Sequence, residues 1–324
     1  MAVSRTVEEQ ECTPVNELKI SENEKLSSGN GTPGNFDLNG WIQIPSLVIS
    51  VVGLVGNGLV LWLLIRIKRN PFSVYILNLA AADALFLCST FAIIINKFVK
   101  YFSFPPVDDA VECFRYTVYI MGMSLLAAIS TERCLSVLFP IWYRCNRPKH
   151  LSTAVCAVLW IVVVVLEVLY FVFCPEWDNV YACVEFFTIE FVWFSLFTPM
   201  LGVSSLALLL KVQCSSRRRQ PPRLYLLVLL NVLVFLLCGL PLGIMDFLLI
   251  YYSIDIPDWL PWLLACVNSS VNPFIYFFLG RQRHRRRRES LRKVLQRALG
   301  VRRELEAGTR VTSQTITPDT SFCD

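Results

Sequence analysis

Two adjacent opposite charges, Glu132 and Arg133, stand at the end of an apolar run, and a basic, aromatic turn follows at Trp142, Tyr143, Arg144 and Arg147. A charged pair at the end of a membrane helix is costly to bury unless paired, so it belongs at a water-facing boundary. The bland account is a positive flank that only sets topology. Four more acids, Asp83, Glu167, Glu190 and Asp246, fall inside apolar runs. A carboxylate that deep must face a bundle interior and find polar partners. For Asp83 the candidates are Asn57, Asn268, Ser269 and Asn272, which make it either a hydrogen-bonded structural acid or part of an interior ion or proton site. Asn272-Pro273-x-x-Tyr276 adds a hinge signal: proline removes a backbone donor and bends a helix locally.

The elements that must position these groups are membrane helices. The chain has 324 residues, 55% of them hydrophobic and 17% charged. A soluble domain carries nearer a quarter charged residues. Spanning the hydrocarbon takes about 20 helical residues. Seven segments satisfy that, near 42–65, 73–96, 110–138, 151–174, 184–212, 224–252 and 259–279. With no water in the bilayer core, their backbone groups must be satisfied internally, which makes them helices. The expected fold is an all-α membrane protein, a seven-helix bundle with an amphipathic helix after it.

Charge sets the orientation. Residues 1 to 40 hold seven acids against three bases, and 281 to 324 hold twelve bases against five acids. That asymmetry predicts an external N-terminus and a cytosolic C-terminus. The loops agree, with Arg66, Lys68 and Arg69, then Arg144, Arg147 and Lys149, then Arg217, Arg218, Arg219 and Arg223 on one side. No basic start followed by an apolar run marks a cleavable signal peptide. Residues 1–41 read as an extracellular disordered tail, in which Asn30-Gly31-Thr32 is a glycosylation sequon. Residues 42–280 form the seven-helix domain. Residues 281–300 combine Leu291, Val294, Leu295, Ala298 and Leu299 with interleaved arginines, an amphipathic helix suited to the anionic lipid of the inner leaflet. Residues 301–324 read as a disordered cytosolic tail rich in Ser and Thr.

Depth brings three of the acids together. Glu167 lies about 24 Å along segment four from Leu151, Asp246 about 33 Å up segment six from Leu224, and Glu190 about two turns below the outer end of segment five. A shared, water-accessible cavity is the economical arrangement, and it would meet a cationic ligand. Arg115 in segment three is available to neutralise one of the acids.

Several of these stretches resemble one family. Glu132-Arg133-Cys134 sits where rhodopsin-like G-protein-coupled receptors carry an acid-Arg-aromatic triplet, and SVLFPIWYRCNRP, NPFSVYILNLAAADALFL and CGLP look like the Mas-related branch. Asn272, Pro273 and Tyr276 match the class motif Asn-Pro-x-x-Tyr. The resemblance implies that Glu132 holds Arg133 at rest. It implies that Arg133 and the turn at Pro140 and Ile141 meet a heterotrimeric G protein when helix six moves outward. It implies a bridge between Cys174 and Cys183, at the outer ends of segments four and five, and an arrestin on a phosphorylated tail. In the wider class the acid matching Asp83 helps bind sodium, and here Gly122 stands at a position that usually supplies a hydroxyl. The family's ligand-binding acids on helices four and five align with Tyr170 and Phe187, so Glu167 and Glu190 are each displaced by a turn.

Other chemistries lack their residues. The chain has two histidines, and it carries no HExxH, phosphate-cradling glycine loop or Gly-x-Ser-x-Gly. No enzyme, cofactor or metal site is expected, and membrane tethering argues against a nucleic-acid partner for the arginine run. The rival reading is a seven-helix transporter or channel that uses its intramembrane acids.

Overall fold

The computed structural model describes residues 38–66, 70–99, 105–173, 180–215, 223–245, 257, 259–280 and 290–298. They form α1 (Leu38–Ile65), α2 (Pro71–Val99), α3 (Pro105–Leu138), the short α4 (Pro140–Cys145), α5 (Leu151–Phe173), α6 (Val180–Ser215), α7 (Arg223–Val234), α8 (Trp259–Gly280) and α9 (Leu291–Ala298). A π turn, Phe235–Gly239, carries α7 on into helical residues 240–245. The seven predicted segments are α1, α2, α3, α5, α6, α7 with its continuation, and α8. Six of these helices are long and apolar enough to cross a membrane, and α6 holds a further apolar stretch at Phe191–Ala207.

The radial pattern is that of a bundle in lipid. Val48, Val52 and Val55 on α1, and Val158, Ile161, Val165, Val168 and Val172 on α5, are exposed. Ser46, Ser50, Asn57, Asp83 and Asn272 are buried. Apolar side chains outside and polar ones inside suit a solvent that cannot hydrogen-bond. Lipid tails give no hydrophobic drive between helices, so close packing and interhelical hydrogen bonds must hold them. Ser204 donates to Ser130 at 2.7 Å, the Trp193 indole to Ser124 at 3.0 Å, and the Trp160 indole to Asn78 at 3.1 Å. Such bonds contribute about 0.6 kcal/mol each on average. Packing supplies the rest, with Phe72, Tyr75, Phe86, Phe235 and Tyr276 almost wholly enclosed.

α3 is the central helix, packing against α2, α4, α5, α6 and α7. α1 meets α8 where it carries Gly53. A Cβ there would stand 2.1 Å from the Ser270 hydroxyl, and that hydroxyl donates to the Ile49 carbonyl at 3.1 Å. Any larger residue would push the two helices apart.

Helix starts differ from the hydropathy reading for local reasons. α2 begins at Pro71, two residues early, because Asn70 and Ser73 cap it reciprocally. The Ser73 N–H donates to Asn70 Oδ1 at 2.7 Å, and the Asn70 N–H donates to Ser73 Oγ at 2.9 Å. Proline at the first helical position suits both α2 and α3, since its missing N–H would have been unpaired there anyway. Within the predicted amphipathic stretch, α9 buries Val294 and Leu295, and Arg292 donates to the Arg66 carbonyl at 2.7 Å, closing the end of α1.

Candidate functional site

At the end of α3, Glu132 is buried and its carboxylate is held from the following loop. Arg147 Nε donates to Glu132 Oε1 at 2.5 Å, and Arg147 Nη2 donates to the Ser152 hydroxyl on α5, also at 2.5 Å. The Tyr75 hydroxyl, on α2, reaches the other carboxylate oxygen at 3.5 Å. Arg147 thus fastens the α4 loop to α3 and α5 at once. Arg133 lies with its guanidinium 3.7 Å above the Phe72 ring. Tyr143 stands between these charges, and burial raises its hydroxyl's pKa above the usual phenol value, offset in part by Arg133.

The loop presents its apolar side outward. Pro140 starts α4 without a side-chain cap, and Ile141 is 79% exposed, with Phe139 beside it at 56%. Arg133, Pro140 and Ile141 therefore lie at one end of the bundle, on consecutive elements.

Deeper in the bundle, Asn272 Nδ2 donates to Asp83 Oδ2 at 2.7 Å, and Ser269 is buried on the same helix as Asn272. Asn57 Nδ2 donates to the Ser269 and Gly53 carbonyls, each at 3.0 Å. Asn268 is buried alongside. The amide oxygens of Asn57, Asn268 and Asn272 have no protein partner. Gly122 lies beside the acid, where a Cβ would be 3.9 Å from Asp83 Oδ1. Pro273 follows in α8, and Tyr276 is fully buried, its hydroxyl accepting from Asn231 Nδ2 of α7 at 3.4 Å. Four helices, α1, α2, α7 and α8, thus converge on the residues of the Asp83 and Asn272 motifs.

The opposite end of α3 meets one of the ligand-pocket candidates. Glu167, on α5, is 4% exposed and is met by the Cys113 thiol of α3 at 3.8 Å. Arg115, two residues further along α3 and so about 200° around it, points elsewhere. It pairs with Glu112 and lies 3.5 Å over the Trp262 ring of α8. Arg115 is 7% exposed and its Nε is buried without a partner, whereas the Glu112 side chain is 41% exposed. A pair at this helical spacing contributes only about 0.2–0.5 kcal/mol, well under the several kcal/mol that burying a guanidinium costs.

Trp262 stacks on Phe86 at 6.3 Å, and Phe86 meets Tyr119 at 6.3 Å. The Tyr119 hydroxyl ends this aromatic row by donating to the Gly239 carbonyl in the π turn, at 2.8 Å. Glu112, Tyr119, Arg147 and Trp262 were not among the residues singled out for these roles. The Glu112–Arg115 spacing was the only local signal. The side chains of Tyr170, Phe187 and Glu190, the predicted Cys174–Cys183 bridge, Asp246 and Asn30 lie outside the described residues. Among the described residues, no group of His, Cys, Asp and Glu is arranged to hold a metal ion.

Residues 56–276 match the family described as 7 transmembrane receptor (rhodopsin family). The chain is 46% identical over 286 residues to the Mas-related G-protein coupled receptor member A of Rattus norvegicus, covering 82% of this chain and 92% of that receptor. It is 47% identical over 273 residues to member X2 of Homo sapiens, covering 78% and 81%. With member D of Macaca fascicularis the identity is 44% over 279 residues, covering 81% and 86%.

Proposed function

The chain belongs to the rhodopsin family of seven-transmembrane receptors and, within it, to the Mas-related G-protein coupled receptors, and from that premise we propose that it binds an extracellular ligand and promotes nucleotide exchange on a heterotrimeric G protein. It does so from the plasma membrane, with its N-terminus outside. The observation that carries this reading is the loop end of the bundle. There Arg133 lies on Phe72, Glu132 is held by Arg147, and Ile141 stands exposed beside them.

The mechanism is a population shift. A ligand acts only to the extent that it binds the open arrangement better than the closed one. Opening moves the start of α7 away from α3 and frees Arg133 and the Pro140–Ile141 turn for the G protein. The hinges are the proline sites of α8 and of the α7 continuation, Pro273 and Pro241, where the backbone ladder already lacks a donor. The Asp83, Asn272 and Asn57 network links the helices that must shift, and Asn231 with Tyr276 ties α7 to α8.

The finer parts of the proposal are a basic peptide or amine as ligand, recognised by Glu167 with Glu190 and Asp246 and flanked by Tyr170 and Phe187. A Cys174–Cys183 bridge, a glycan on Asn30 and arrestin on the tail complete it. Glu167 supports the ligand class in one respect. It is a buried carboxylate whose described side-chain contact is a thiol rather than a cation.

Purified receptor in lipid nanodiscs, mixed with heterotrimeric G proteins and a basic-peptide and amine library, tests the reading through guanine-nucleotide exchange. Exchange that rises with at least one compound is the expected result. Ion flux in proteoliposomes with no exchange on any G protein would replace the receptor with the transporter reading.

A further inference from the structure

We infer that Arg115 and Trp262 form an anion subsite, which takes a planar carboxylate of the ligand in addition to any basic group. This rests on the receptor reading and deepens it. Arg115 lies 18 residues before Arg133 on one continuous helix, about 27 Å away at 1.5 Å per residue. It is therefore at the end of the bundle opposite the loop carrying Ile141, where a ligand from outside would enter.

Three observations point to a ligand and not to a structural charge. Arg115 is more than nine-tenths buried, and its Nε has no partner, while Nη2 on the same guanidinium edge is held by Glu112. Its acid, Glu112, sits one turn outward on the same helix and is 41% exposed. A carboxylate that water already reaches is one that a competing carboxylate can displace. The guanidinium carbon lies 3.5 Å from the centre of the Trp262 ring, and a carboxylate that displaced Glu112 from Nη2 would also meet the unpartnered Nε. Trp262 is only partly buried and stacks on Phe86, so an aryl or alkyl group attached to that carboxylate has an apolar shelf beside it.

The acids and this cation face different ways. Cys113 turns toward Glu167 on α5, and Arg115 turns toward Trp262 on α8. A carboxylate bound at Arg115 therefore does not have to pass Glu167. It also lies at the start of the row that leads through Phe86 and Tyr119 to the π turn, which gives its occupancy a route to α7.

The test uses the full-length receptor in nanodiscs, with benzoate and 3-phenylpropionate as probes and benzamide as the uncharged control, followed by ligand-observed NMR at millimolar concentration. Saturable binding of the acids but not the amide is expected, falling about tenfold or more in Arg115→Gln for loss of a bidentate charged contact. Glu112→Gln removes the competing acid and should tighten binding, an effect that a purely structural pair would not produce. Ala-Phe against its C-terminal amide then separates a peptide terminus from a free small acid. Equal binding of benzoate to wild type and Arg115→Gln, weaker binding in Glu112→Gln, or no carboxylate binding at all would each overturn the subsite. Basal nucleotide exchange, measured on the same samples, reports the receptor reading separately.

Discussion

The Tyr119 hydroxyl donates to the Gly239 carbonyl at 2.8 Å, joining α3 to the π turn of α7 across 120 positions of sequence. The turn lies just before Pro241, whose ring supplies no N–H, so the backbone ladder is weakest there. A Cβ on Gly239 would stand 2.5 Å from the Phe235 ring. The position is filled by a neighbour's ring, and the bend is held from another helix.

Tyr119→Phe removes the hydroxyl and leaves the contacts with Phe86 and Tyr116. A net hydrogen bond contributes about 1 kcal/mol, so basal nucleotide exchange should rise about fivefold as the resting arrangement loses its tie. Unchanged basal exchange at equal surface expression would show that the bond does not bias the receptor.

Gly239→Ala overpacks Phe235. A loss of about 1–3 kcal/mol is expected, read as a lower melting temperature in detergent, with Phe235→Leu in the same chain restoring part of it. If Gly239→Ala melts like wild type, the close approach does not constrain the helix.

Arg133→Ala removes the guanidinium from the Phe72 ring, a contact of about 0.5–1 kcal/mol, at the end of α3. Surface expression and ligand binding should persist while nucleotide exchange falls to background. A well-expressed variant that exchanges normally would take Arg133 out of the coupling site.

Arg147→Ala leaves the buried Glu132 carboxylate without its ion pair, a loss of about 3–5 kcal/mol. Adding Glu132→Gln should recover much of the thermal stability, and a double-mutant cycle measures the coupling. Additive effects in that cycle would mean that the loop is held by Ser152 and packing alone.

Cys174 and Cys183, if bridged, make one unit, so either Ser substitution should damage the response as much as both together. Non-reducing peptide mapping that finds two free thiols removes the bridge.

Much of this receptor was legible in its sequence because membrane length, apolarity and charge side are local or additive properties. Seven runs, the loop arginines and the prolines needed no partner to be read, and the fold class followed from them. The early starts of α2 and α3 were missed because hydropathy does not see caps, although Asn70-Pro71 and Ser73 carried the signal. Depth along a helix axis was forgiving of register error. An error of one residue moves a side chain only about 1.5 Å along the axis. Direction around the axis was not, because the same error rotates it by about 100°. That is why Glu167 could be put at a depth but not turned toward Cys113, and why Arg115, a possible partner for it, pairs with Glu112 and faces Trp262. Glu132 was placed at its boundary, but its tie to Arg147 depends on how α4 folds the chain back over fifteen residues. Composition and periodicity determined that this chain is a bundle of membrane helices. The packing of helices against one another, which sets each helix's rotation, decided which charges meet.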